Sequence, residues 1–252
     1  MEVVITENPG IVAADAIAAH VRRGTVLGLA TGSSPLPVYA ELLRRRDAGA
    51  VVFDGVRAFT LDEYVGLPRS HPQSYYSVIR REFTDPAGIP VDGPDGEAAD
   101  IQAEATRYEA AIRDAGGVDV QLLGIGTDGH IGFNEPGSSL ASRTRVKTLT
   151  PQTRADNARF FDSADDVPVH VLTQGLGTIL EAEHLVLVAT GSGKAAAVAA
   201  AVEGPVGAMC PASVLQLHPY VTFVVDEAAA ADLRLADYYR FVADHKPQDQ
   251  GW

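Results

Sequence analysis

A chain of 252 residues, 46% of them hydrophobic, is long and apolar enough to bury a substantial core. Its formal charge of -13 disfavours nonspecific binding to nucleic acid or to an anionic membrane, since both attract basic surfaces. Its single cysteine, Cys210, excludes an internal disulfide and a multi-cysteine zinc site. No run approaches the roughly 20 apolar residues of a membrane span, and no basic start leads into an apolar core and cleavage site, so a cytoplasmic location is expected.

In chain order, Glu2 to Thr6 reads as a first strand and Ile11 to Arg23 as a helix. Val26 to Ala30 is a second strand. It runs into Thr31-Gly32-Ser33-Ser34-Pro35 and a helical pattern through Arg46, with Ser34 as N-cap and Pro35 at the first helical position. Free N–H groups and hydroxyls at such a helix start suit an anion, although an ordinary structural cap has the same sequence. Val56 to Leu61 is a third strand, ending at Asp62-Glu63-Tyr64. Two carboxylates at a strand end are candidates for an acid or base, with a solvated turn or helix cap as the plain alternative. A helix near Ser74 to Phe83, a long surface loop from Thr84 to Ala99 and a helix over Ala103 to Ala115 follow.

Val118 to Ile125 is the next strand, and its apolar run breaks into GTDGHIGFNEP, where Asp128, His130 and Glu135 are brought within a few residues by glycine turns. A turn that placed both carboxylates against the imidazole would stabilise its protonated form and suit proton transfer. A metal site is the main chemical rival, yet no second histidine stands at a recognisable ligand spacing. Beyond Pro136, SSLASRTRVKTLT concentrates hydroxyl and basic residues, as a second anion site or a solvated strand would.

Pro151 to Phe161 reads as helical and carries Arg154 and Arg159, and Gly175 to Glu181 as a short helix. His184 to Ala189 is a strand leading into Thr190-Gly191-Ser192-Gly193-Lys194 and an alanine-rich helix. A nucleotide P-loop would need glycine at Val188 and Ser or Thr at Ala195, so only a glycine turn presenting a lysine at a helix start remains. Lys194 is one of just three lysines against 17 arginines. Tyr220 to Val225 is the last strand and Ala228 to Val242 the last helix. Strands alternating with helices, with no repeat or linker, predict an α/β fold. A single domain over residues 1 to 252 would hold an open, mainly parallel, Rossmann-like sheet with helices on both faces. Ligands of such sheets collect at the carboxyl ends of the strands, where Thr31 to Ser34, Asp62, Asp128 to Glu135 and Lys194 all fall. Together they point to acid-base chemistry on a phosphorylated metabolite.

In that order, LATGSSP (29 to 35), LDEYVGL (61 to 67), SYY (74 to 76), GTDGHIGFNEPGSSLASRTRVKTLT (126 to 150), NARFF (157 to 161), GSGKA (191 to 195) and LQLHP (215 to 219) resemble the glucosamine-6-phosphate deaminase family over nearly the whole chain. The resemblance implies conversion of glucosamine 6-phosphate and water to fructose 6-phosphate and ammonia, with no metal and no organic cofactor. It implies that His130 moves the ring-opening proton, tuned by Asp128 and Glu135, and that Asp62 is the base between C2 and C1. It implies phosphate contacts from Thr31, Gly32, Ser33, Ser34, Arg159 and Lys194, and a lid around Pro151 to Phe161. Some relatives are hexamers activated by N-acetylglucosamine 6-phosphate at a subunit interface, which makes Ser138, Arg145, Lys147 and Thr148 an allosteric set and a homo-oligomer an expectation. The C-terminal region, Ala228 to Trp252, departs from the family pattern. The related 6-phosphogluconolactonases share the fold and the Asp-Gly-His element but would not require Asp62 or the NEP segment, and an inert sugar-phosphate sensor would not require the acid-base residues. Zinc-dependent nucleobase deaminases need more cysteines than the one present.

Overall fold

The computed structural model describes residues 1–247 and 250–252. Seven strands form the central sheet in the order β1-β10-β9-β6-β2-β3-β5: β1 (Glu2–Ile5), β2 (Val26–Leu29), β3 (Arg57–Thr60), β5 (Val91–Asp92), β6 (Val120–Leu123), β9 (His184–Ala189) and β10 (Val221–Val225). Every pairing in it is parallel. Among the described residues, nine α-helical segments accompany them: α1 (Pro9–Ala18), α2 (Leu36–Asp47), α3 (Tyr75–Ile79), α4 (Asp85–Ala87), α5 (Ile101–Asp114), α6 (Pro151–Asn157), α7 (Leu176–Ile179), α8 (Ala195–Glu203) and α9 (Ala236–Asp244).

Because side chains alternate across a strand, the apolar strands feed two cores. Leu27, Leu29, Val120, Leu122, Val186 and Val188 pack with Ala13 and Ile17 of α1 and Val38 and Leu42 of α2. The intervening Val26, Leu123, Leu185 and Leu187 pack with Tyr108 and Ile112 of α5 and Val198 and Ala201 of α8. Helices therefore cover both faces, and the expected doubly covered α/β sheet is what forms.

Beyond the parallel sheet stands an antiparallel one that periodicity did not indicate: β4 (Asp62–Tyr64), β8 (His170–Thr173) and β7 (Arg145–Thr148), in the order β4-β8-β7. Its strands are three or four residues long, too short to show an alternation of their own. Asp62-Glu63-Tyr64 is thus a strand rather than a solvated turn, and all three residues are buried. Ser34 is not a helix cap. It lies in the turn over residues 33–35, α2 begins at Leu36, and Pro35 occupies the cap position with no side-chain bond. The helix expected near Ser74 passes from α3 into a π-helical turn, Arg80–Thr84. The segment expected as a surface loop holds α4 and β5 and buries Thr84 and Ile89. The helix expected over Pro151 to Phe161 ends at Asn157 and continues as a 3-10 turn, and α9 starts eight residues later than its apolar pattern implied.

Glu63 fastens this region. Its side chain is fully buried, yet Oε1 accepts from the backbone N–H groups of Tyr64 (2.9 Å) and Tyr75 (3.1 Å), and Oε2 from Ser74 Oγ (2.6 Å) and the Tyr76 N–H (3.1 Å). Two of these donors belong to the first turn of α3, which has no internal partners for them. Glu63→Ala would strand buried donors, so the expected outcome is a loss of about 2–4 kcal/mol in urea unfolding, with Glu63→Gln losing less.

Candidate active site

A cleft of ≈ 480 Å³ opens at the carboxyl ends of β2, β6 and β9 and at the start of β4. From β2 the chain moves outward to β3 and β5, and from β6 it moves to β9 and β10 on the other side, so the strand order reverses between β2 and β6. The loops leaving strands on either side of such a reversal diverge and leave a crevice. Thr31 to Ser34 after β2, Gly126, Thr127 and His130 after β6, Thr190 and Lys194 after β9, Asp62 of β4 and Arg159 beyond α6 all line it.

His130 sits in a tight turn, with the Gly126 N–H donating to the His130 carbonyl (2.9 Å). Its ring lies so close over Gly126 that a Cβ there would come within 2.3 Å of it. Nδ1 is 2.7 Å from Asp128 Oδ1 and 3.4 Å from Glu135 Oε2. Neither oxygen lies where a straight N–H···O bond would place it, so these are ion contacts. Burial pushes the imidazole pKa down, but Asp128 and Glu135 more than offset this and raise it to about 9. Burial also works against the Asp128 carboxylate, and the His130 contact still holds it well below the usual range. Asp128 and Glu135 stand behind the ring and do not line the cleft. Glu135 Oε1 accepts from the Thr150 N–H (3.3 Å), where the Thr150 hydroxyl caps α6 (3.1 Å to the Thr153 N–H). One carboxylate thus ties the imidazole to the helix that leads to Arg159.

The donor atoms of Asp128, His130 and Glu135 lie within 4.8 Å of one another. Tetrahedral zinc holds its oxygen and nitrogen ligands about 3.4 Å apart, whereas the Nδ1 to Oδ1 separation is 2.7 Å. The Asp128–His130 separation is that of an ion contact and is too close for two ligands of one zinc, while the 3.4 Å from Nδ1 to Glu135 Oε2 matches a ligand spacing.

Asp62 and Glu63 have opposite surroundings. Glu63 collects four donors, while the Asp62 carboxylate accepts no hydrogen bond among the described residues and lines the cleft. Burial first, and the charge of Glu63 second, push the Asp62 pKa up to about 8, with His130 pulling it down. Gly132, at φ +55°, passes so near that a Cβ would lie 2.9 Å from Thr173 Oγ1 and 3.7 Å from Asp62 Oδ2, filling the space before the carboxylate.

At the other end of the cleft, Ser34 Oγ lies 3.4 Å from Thr190 Oγ1, joining the loops after β2 and β9. Burial lowers the Lys194 pKa, opposed first by Asp156. Among the lining residues that sequence reasoning assigns no role are Tyr75, Phe133, Asp156 and Thr190. Thr190 follows a strand end and the same strand-end logic finds it, whereas nothing in the sequence points Asp156 inward. The Tyr75 and Phe133 rings stack (5.8 Å, 12°) into a flat wall. The Tyr75 hydroxyl donates to the Tyr64 hydroxyl (2.9 Å), which also accepts from Asn157 Nδ2 of α6 (3.0 Å).

Ser138, Arg145, Lys147 and Thr148 line no part of this cleft. Arg145, Lys147 and Thr148 lie on edge strand β7, and Ser138 is buried beside it in sequence terms, its hydroxyl donating to the Glu135 carbonyl (2.6 Å). Arg145 Nη1 donates to Asn134 Oδ1 (2.9 Å). Burial lowers the pKa values of both Arg145 and Lys147.

The family model for glucosamine-6-phosphate isomerases and 6-phosphogluconolactonases matches residues 9–223. This chain belongs to that family. A glucosamine-6-phosphate deaminase of Rhodococcus opacus (strain B4) is 65% identical over 259 residues, covering the whole of both chains. That of Streptomyces coelicolor (strain ATCC BAA-471 / A3(2) / M145) is 62% identical over 260, again covering both completely. A solved monomeric glucosamine-6-phosphate deaminase superposes with a TM-score of 0.88 at 40% identity, over 92% of this chain and 100% of that one. The 6-phosphogluconolactonase of Trypanosoma brucei shares the family fold at 21% identity and a TM-score of 0.69, over 92% and 98%.

The geometry around His130 makes a direct prediction. An imidazole held at about 9 in the fold, against an ordinary 6.5, contributes stability that is fully present below pH 6.5 and is lost as pH rises through 9. NMR titration of the ring, assigned with His130→Gln, is expected to show a proton retained well above neutrality; a midpoint near 6.5 would mean that the two carboxylates do not act on it.

Proposed function

We infer that this chain isomerises and deaminates glucosamine 6-phosphate, consuming water and giving fructose 6-phosphate and ammonia. The observation that carries the reading is that one cleft presents two separate proton-transfer groups from different strands, Asp62 and His130, beside hydroxyls and two cations suited to a phosphate. Hydrolysis of a lactone moves no carbon-bound proton and would leave a buried base such as Asp62 without a task, and the full-length relatives at 60–65% identity carry the deaminase name.

His130 shuttles a proton from the anomeric hydroxyl to the ring oxygen, opening the pyranose, while Asp128 and Glu135 hold the imidazole and stabilise its charged form. Asp62 takes the proton from C2 as the carbonyl oxygen is protonated, giving an enolamine, and returns the proton to C1. The resulting C2 iminium adds water and expels ammonia, leaving the ketone. A carboxylate raised to about 8 is a stronger base than an ordinary one, which this step at carbon requires. Thr31, Ser33 and Ser34 with the Gly32 backbone, the planar fork of Arg159 and the compact charge of Lys194 hold the phosphate.

The steps are proton transfers, addition of water at C2 and loss of ammonia, with no external electron donor or acceptor, and no metal or organic cofactor is assigned a part in them. It treats residues 1 to 252 as one domain and places the protein in the cytoplasm; no helix among the described residues is long and apolar enough to cross a membrane. Ser138, Arg145, Lys147 and Thr148 form a second anion site for N-acetylglucosamine 6-phosphate, completed by another copy of the chain in a homo-oligomer. Support for that site comes from two half-buried cations on an edge strand with no carboxylate within 4 Å among the described residues.

EDTA-treated protein is expected to release ammonia and fructose 6-phosphate in equal amounts. Asp62→Asn is expected to lower kcat by about 100-fold or more while inorganic phosphate competes as before. Because Asp62 must lose its proton and His130 must keep one, kcat/KM is expected to rise as pH approaches 8 and to fall above 9. For the second site, N-acetylglucosamine 6-phosphate is expected to shift the substrate curve to lower concentration in the wild type and not in Arg145→Ala; a hyperbolic curve that the compound leaves unmoved is the opposing result.

A further inference from the structure

Asp156 puts a carboxylate into the end of the cleft assigned above to phosphate. It lies on α6, three residues before Arg159, and shares the lining with Lys194 and Thr127. Its Oδ2 accepts from Thr127 Oγ1 (3.5 Å) and its Oδ1 from Gln152 Nε2 (2.8 Å). Both partners are neutral, and among the described residues no cation lies within 4 Å of it. Its charge therefore acts across the cleft, and at Lys194 it is the first of the charges that oppose the effect of burial on the ammonium. A phosphate dianion that enters between Lys194 and Arg159 meets a fixed negative charge on the same wall.

We propose that Asp156 sets the affinity of the cleft for phosphate esters, balancing Lys194 and Arg159 when the site is empty and weakening their grip when it is filled. Substrate and product carry the same phosphate, so attraction at that end binds both equally and does nothing for the chemical step. Two cations, paired hydroxyls and backbone N–H groups around one dianion would retain the product along with the substrate. A nearby carboxylate lowers the affinity for both and shortens the residence of the product. Its position on the same short segment as Arg159 means that cation and counter-charge approach the ligand together.

The inference rests on the phosphate reading of Lys194 and Arg159, and the test separates the two. Inorganic phosphate is titrated as a competitive inhibitor of wild type, Asp156→Asn, Asp156→Glu, Gln152→Ala and Lys194→Ala. Asp156→Asn is expected to lower the inhibition constant by about 3–10-fold at low ionic strength, with the gain shrinking as salt is added. Asp156→Glu, which keeps the charge, is expected to stay near wild type. Gln152→Ala, which removes the strongest hydrogen bond to Asp156 and not its charge, is expected to do the same. An unchanged or raised constant in Asp156→Asn overturns the proposal, and so does a Gln152→Ala that matches it, since the carboxylate would then serve only to anchor α6. If phosphate fails to compete in the wild type, or Lys194→Ala leaves its constant unchanged, the phosphate reading fails and this inference falls with it.

Discussion

Two neighbouring carboxylates buried on one short strand impose the constraint on which the rest of the site depends. Burying a carboxylate is costly unless donors replace its water, and the fold treats the two differently. Glu63 turns away from the cleft and receives four donors, two of them from the start of α3, so its position is overdetermined. Asp62, one residue earlier and on the opposite face, receives none, and burial with the charge of Glu63 raises its pKa to about 8. The strand is held by the carboxylate that turns away from the cleft, which leaves the one that lines it free to be unsatisfied.

The same division recurs at His130. Asp128 and Glu135 are placed behind the imidazole, where they set its charge without touching the cleft, and Glu135 also fastens the start of α6. Asp62 and His130 face the cleft, and the carboxylates that shift their pKa values face protein. A site built this way needs little rearrangement of its proton-transfer groups when ligand enters, which is the property that electrostatic preorganisation requires.

How far the sequence alone reaches depends on how apolar each element is. β2, β6, β9 and β10 are apolar on both faces and stand out in the chain even where they are only four residues long, and the polar residues just after three of them lie together in the cleft. The pairing of His130 with Asp128 and Glu135 was legible because all three fall within eight residues. The antiparallel sheet was not. Its strands carry three or four residues each, mix polar with apolar side chains, and pair across long stretches of chain, Asp62 with Thr173 and Arg145 with Thr173. Ser34 shows the converse error: its local pattern suits a cap, but the turn holds it against the loop after β9, with its hydroxyl near Thr190. Asp156 lies in a stretch read as a helix, and which way that helix faces is decided by Tyr64 and Thr127, both remote in the chain.

In the antiparallel sheet, Thr173 of β8 pairs with Asp62 on one side and with Arg145 on the other. The separation between the Asp62 carboxylate at the cleft and the Arg145 cation at the sheet edge is therefore counted in whole peptide units, two strand spacings of about 4.8 Å each. A slip of one residue along either ladder would exchange the faces of every side chain in that strand, turning Glu63 toward the cleft or Val146 toward the position of Arg145. The two charges keep their distance as teeth on one gear do, and neither can be re-spaced by evolution or by design without rebuilding the strand between them.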